Sequence, residues 1–168
     1  MSKLDDPLSR LRAALAAKQD GFFAEAESCL ADLSQLNDPA SIPGLLQLLD
    51  ESGPDELMFS IVHEVEKWDD LTYGKALLDF VERLWERTPR WAQILHIRVL
   101  NSPSTADVYF ELVKSAPSGT RGTVCRIYEA ICGQWPRLTD KVLPILVELK
   151  NGLAQADEAL RNRLPAPC

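Results

Sequence analysis

Histidine and cysteine are scarce in this chain. Its 168 residues include two histidines and four cysteines. No C-x-x-C spacing occurs, and His63 and His96 lie far from the cysteines in sequence. Those gaps argue against a zinc site or a disulfide framework. Cys29 and Cys168 stand towards opposite ends, and Cys125 and Cys132 fall two turns apart on one helical face. All four read as buried or half-buried reduced thiols.

Catalytic and cofactor motifs are missing too. There is no Gly-rich phosphate loop and no Ser-His-Asp order. The string His63-Glu64-Val65-Glu66-Lys67 has lysine where a zinc-protease helix needs its second histidine. The expectation is therefore no catalytic residue, no metal and no cofactor. No apolar run approaches the ~20 residues that span a bilayer, so no membrane partner is expected. Met1 to Pro7 holds no apolar leader core, which points to the cytoplasm. The bases are scattered and the pI is near 4.9, which argues against nucleic acid as a partner.

What the chain does have is a knot of acid. From Asp50 to Asp70 stand Asp50, Glu51, Asp55, Glu56, Glu64, Glu66, Asp69 and Asp70, against the single base Lys67. That balance of −7 equals the net charge of the whole chain, so the rest is neutral. A local acidic patch on a balanced frame predicts a surface that meets a basic partner.

The frame reads as all-α. Apolar residues recur at i, i+3/i+4 and i+7 throughout, and no strand or hairpin signal interrupts them. Helices are expected over about 7–18, 22–35, 55–67, 71–87, 89–100, 105–115, 121–134 and 138–150. Another starts at Asn37-Asp38-Pro39, and a last one follows Gly152 to Arg163. Pro, Gly, Asn and Ser punctuate the links. The segment from Asp38 to Asp50 looks like the first helix of a HEAT-type repeat, and later hairpins recur at loosely 30–40 residues. The expected architecture is one domain of stacked antiparallel helical hairpins, a HEAT-like α-solenoid. Residues 1–36 would cap it, 37–151 would form the repeats, and 152–168 would make a final helix and tail. A compact helical bundle is the alternative.

A helical wheel sorts the acidic region. Leu57, Met58, Ile61, Val62 and Val65 form its apolar stripe, while Glu56, Phe59, His63 and Glu66 fall opposite. Phe59 either covers a neighbouring loop or anchors an interface rimmed by carboxylates. Trp68 is followed by Asp69 and Asp70, which a preceding helix C-terminus would not favour. The candidate partner surface is thus Asp55, Glu56, Phe59, His63, Glu66, Trp68, Asp69 and Asp70. Arg98 falls within the stripe of Trp91, Ile94, Leu95 and Val99, and a buried arginine needs a partner. Glu64, at the equivalent point of the preceding hairpin, is the expected one. The Glu64–Arg98 pair would be structural.

The stretch from Met58 to Glu66, then Pro89-Arg90-Trp91, then Arg98-Val99-Leu100-Asn101, resembles immunity protein family 30, helical proteins of bacterial polymorphic toxin systems. The similarity rests on a His-x-x-Glu element, His63 to Glu66, and an Arg-x-Leu-Asn element, Arg98 to Asn101. It covers roughly residues 42 to 113. The resemblance implies a non-enzymatic cytoplasmic protein that binds and neutralises a cognate toxin domain. A HEAT-like adaptor in a larger complex is the competing expectation.

Overall fold

The computed structural model describes residues 3–17 and 21–163, with side chains placed as far as residue 155. Lys18, Asp20, Cys168 and the rest of the tail from Leu164 lie outside the described residues. Every regular element among the described residues is helical. The order is α1 (Asp5–Ala17), α2 (Phe22–Leu36), a 3-10 turn (Pro39–Ser41), α3 (Ile42–Leu46), α4 (Asp55–Glu66), α5 (Asp70–Arg87) and α6 (Pro89–Asn101). Then come α7 (Pro103–Ser115), α8 (Ser118–Gln134), a second 3-10 turn (Pro136–Leu138) and α9 (Thr139–Arg163). The protein is all-α, as the periodicity predicts.

Local chemistry sets the boundaries. Gly21 precedes α2 with φ +86°, a left-handed conformation that a side chain would strain. Asn37 ends α2 at φ 46°, its N–H closing onto the Leu33 carbonyl. Asp38 accepts from the Ala40 N–H and starts the 3-10 turn. The third helix is shorter than its leucines suggest. After Leu46 the chain closes in tighter bonds, from Leu48 N–H to Leu45 O and from Leu49 N–H to Leu46 O. Pro89 and Pro103 open α6 and α7 at positions where a missing N–H costs nothing. Instead of a break at Gly152, α9 runs on unbroken to Arg163.

Several cross-links between elements span 33 to 40 residues: Lys67 to Ser34 at 33, Asp55 to Arg90 and Asp70 to Thr105 at 35, Glu82 to Thr120 at 38, and Asn101 to Lys141 at 40. That spacing is one helical hairpin. It also gives direction. Asp55, Phe59 and Glu66 of α4 meet Arg90, Trp91 and Arg98 of α6 in the same order, so the two helices run parallel. Helices α5 and α7 pair likewise, at Asp70–Thr105 and then at Gly74, where an added Cβ would stand 3.2 Å from Leu112.

One cluster of buried side chains runs from Leu4 to Leu149. Trp91, Tyr109 and Tyr128 are its largest members with almost no exposed surface. Beside them His96 is also fully buried. Its Nδ1 lies 2.7 Å from the Ala92 carbonyl, which can only accept, so Nδ1 carries the proton. Nε2 then accepts from the Tyr109 hydroxyl at 2.8 Å. Burial pushes the His96 pKa down to about 4.

Candidate functional site

The acids between Asp50 and Asp70 do not form a free patch. Asp50 accepts from Ser52. Glu51 accepts from the Arg90 N–H at 2.9 Å, and Asp55 pairs with the Arg90 guanidinium at 2.8 Å. Glu64 pairs with Lys67. Glu66 receives a two-pronged contact from Arg98, Nε at 2.6 Å and Nη2 at 2.5 Å. Two arginines of α6 therefore meet the segment that reads as −7 in sequence. Glu56 and His63 remain exposed.

Three sequence expectations need correction. Arg98 pairs with Glu66, not Glu64. The wheel assumes one buried side for α4, yet α6 covers the opposite side as well. Arg98 is also only half-buried, its side chain 36% exposed at the last turn of α6. The second correction concerns Asp69 and Asp70. They open α5 rather than trail α4. Asp69 is the N-cap, accepting from Leu71 N–H at 3.1 Å and Thr72 N–H at 3.0 Å. Hydrogen bonds from Thr72, then Leu71, hold its carboxyl below the ordinary range. Asp70 sits in the first turn, where negative charge suits the helix dipole. Local stability thus explains both acids. The third concerns Phe59, which the wheel leaves on the polar face. It is half-buried and packs edge-on to Trp91, with centroids 5.1 Å apart.

What the structure does bring together is a pocket at the C-terminal end of α4 and α6. It encloses about 330 Å³. It is lined by Glu66, Trp68, Asp70, Tyr73, Arg98, Val99, Asn101, Ser102 and Thr105. Of the sequence candidates, Glu66, Trp68, Asp70 and Arg98 share this pocket. Asp55 and Phe59 stand at the far end of α4, and Glu56, His63 and Asp69 do not line it.

The polar groups here are unevenly satisfied. The Thr105 hydroxyl donates to Asp70 at 2.6 Å and accepts from Ser102 at 2.8 Å, because a carboxylate can only accept. Lys67 lies over the Trp68 ring, 5.2 Å from its centroid. The Trp68 Nε1 and the Tyr73 hydroxyl, however, are buried and have no hydrogen-bond partner among the described residues. Tyr73 is 4% exposed. Burial, and then the Glu66 charge, push its pKa up, so it stays a neutral hydroxyl. Sequence reasoning missed Tyr73, Ser102 and Thr105 as pocket residues. Tyr73 lies on the apolar stripe of α5, which reads as core. Its only signal is its spacing from Asp70, one turn earlier.

No group of His, Cys, Asp or Glu able to hold a metal occurs among the described residues. No described helix is long and apolar enough to cross a membrane. Cys29 and Cys125 are buried free thiols, and Cys132 is half-buried.

The family model for immunity protein 30 matches residues 14–109. A search of curated proteins and a search of solved structures each find no match. Every pocket residue, from Glu66 to Thr105, lies inside the matched span. The His63-x-x-Glu66 and Arg98-x-Leu-Asn101 elements each send a residue into the pocket, Glu66 from the first and Arg98 and Asn101 from the second. With more than half of its length inside the match, the chain belongs to the immunity protein 30 family.

Proposed function

We propose that this protein binds and neutralises a cognate bacterial toxin domain in the cytoplasm, without catalysis, and that the toxin docks on the face around the Glu66–Arg98 pocket. Family membership supplies the immunity role. The observation that carries the site is the convergence of both sequence elements on one pocket with unmet polar groups. Glu56 and Asp69, exposed acids towards the two ends of α4, leave a sparse negative rim. Such a rim steers a basic partner into contact and makes the encounter rate salt-dependent.

The test needs a toxin partner, sought first among the genes neighbouring this one. Arg98→Ala removes a residue that lines the pocket. Its pair with Glu66 is partly solvent-screened, so stability should fall by about 1 kcal/mol or less. Affinity for the toxin, read by calorimetry, should fall at least about tenfold, as expected for a central interface arginine. Protection of cells expressing the toxin should weaken in step. An Arg98→Ala protein that binds and protects like the wild type places the interface elsewhere, first of all on α7 to α9. Capture of several unrelated weak partners with no toxin among them would instead favour the adaptor reading.

A further inference from the structure

Resting on the reading that the toxin docks at this face, we infer that the pocket receives an amide group of the toxin, either a main-chain peptide or an Asn or Gln side chain on an inserted loop. Two buried donors, Trp68 Nε1 and the Tyr73 hydroxyl, lack acceptors. Arg98 uses Nε and Nη2 on Glu66, leaving Nη1 outside that contact. On the other side, Asp70 spends Oδ1 on Thr105 and has Oδ2 left to accept.

Each simple ligand class can be set against that inventory. An ammonium group only donates, so it would leave the Trp68 N–H as unmet as before. A carboxylate or phosphate would satisfy the donors but would enter a pocket lined by two carboxylates, Glu66 and Asp70, and one guanidinium, Arg98. Like charge at that range disfavours it. An amide is neutral, and it both accepts and donates. Its carbonyl suits Trp68 and Tyr73, and its N–H suits Asp70. About 330 Å³ accommodates such a side chain or a short loop tip. Lys67 over the Trp68 ring and the Thr105–Asp70 bond fix two of these groups in place beforehand, which lowers the ordering cost of binding.

Two arms test it. In the first, N-methylacetamide, methylammonium and acetate are titrated separately into the isotope-labelled full chain, and the Trp68 indole N–H resonance is followed. N-methylacetamide should give a saturable downfield shift that Tyr73→Phe diminishes. A response to methylammonium or acetate without one to the amide, or no response to any of the three, overturns the inference. In the second arm, Tyr73→Phe and Trp68→Phe are measured against the co-encoded toxin domain. Each should weaken binding roughly 3- to 10-fold, the worth of one neutral hydrogen bond. Melting temperature should hold or rise, because a buried orphan is removed. Wild-type affinity in Tyr73→Phe overturns the amide site. Failure of the wild type itself to bind the toxin counts against the toxin reading, and the first arm still decides the pocket's chemistry.

Discussion

The two ends of the α4–α6 pair carry the same kinds of residue and use them differently. Each end has a tryptophan, an arginine and carboxylates. At the N-terminal end the Trp91 indole donates to the Asp50 carbonyl at 3.0 Å, Arg90 lies over its ring at 4.9 Å, and Phe59 closes the edge. Trp91 has no exposed surface. At the C-terminal end the Trp68 indole is half-buried and its N–H finds no acceptor, and the Tyr73 hydroxyl beside it is in the same state. The N-terminal tryptophan is satisfied within the chain. The C-terminal one has no acceptor among the described residues. Where a fold satisfies one tryptophan and leaves its counterpart open, the open one marks the surface to test.

That contrast breaks first at the tryptophans themselves. Trp91→Ala empties a sealed site and should cost about 3–5 kcal/mol of stability, lowering the melting temperature by roughly 10 °C or more. Trp68→Ala should cost less than half as much, because its ring is part-exposed and holds no hydrogen bond. Thermal unfolding of both variants checks the ranking. Equal losses would mean that the two ends are equally structural.

The buried His96 can be probed by pH. His96 is neutral in the fold, with its pKa depressed to about 4, against about 6.5 in an unfolded chain. The unfolded state therefore binds the extra proton first as pH falls. Stability contributed by neutral His96 is fully present above about pH 6.5 and is lost as pH drops towards about 4. Linkage puts the loss at about 3 kcal/mol across that window. Denaturant unfolding at several pH values measures it. A flat profile between pH 7 and 4 would contradict the buried, neutral imidazole.

Much of the fold is legible in the sequence, and less of the site. Helical periodicity, proline at first-turn positions and the 30–40-residue recurrence carry the helices and their approximate ends. The wheel also gives the buried stripe of α4 correctly: Leu57, Met58, Ile61, Val62 and Val65 are all buried. It fails on the reverse face. Helix α6 gives α4 a further neighbour, so Phe59 and Glu66 are half-buried against it, while Asp55 pairs with Arg90 and stays exposed. The choice of Glu64 over Glu66 as the partner of Arg98 turns on the same point. Asp69 and Asp70 read as the end of α4 because a three-residue link, Lys67 to Asp69, makes one helix's end nearly the next helix's start. Tyr73 offers only its one-turn spacing from Asp70, since a tyrosine on an apolar stripe announces burial and not whether its hydroxyl finds a partner.

Amide hydrogen exchange of the protein, free and bound to its co-encoded toxin domain, tests the open-end account most directly. The account predicts that binding slows exchange in two separate stretches, Glu66 to Tyr73 and Arg98 to Thr105, which meet only in the folded pocket. Slowing confined to α8 and α9, with those two stretches unchanged, would contradict it.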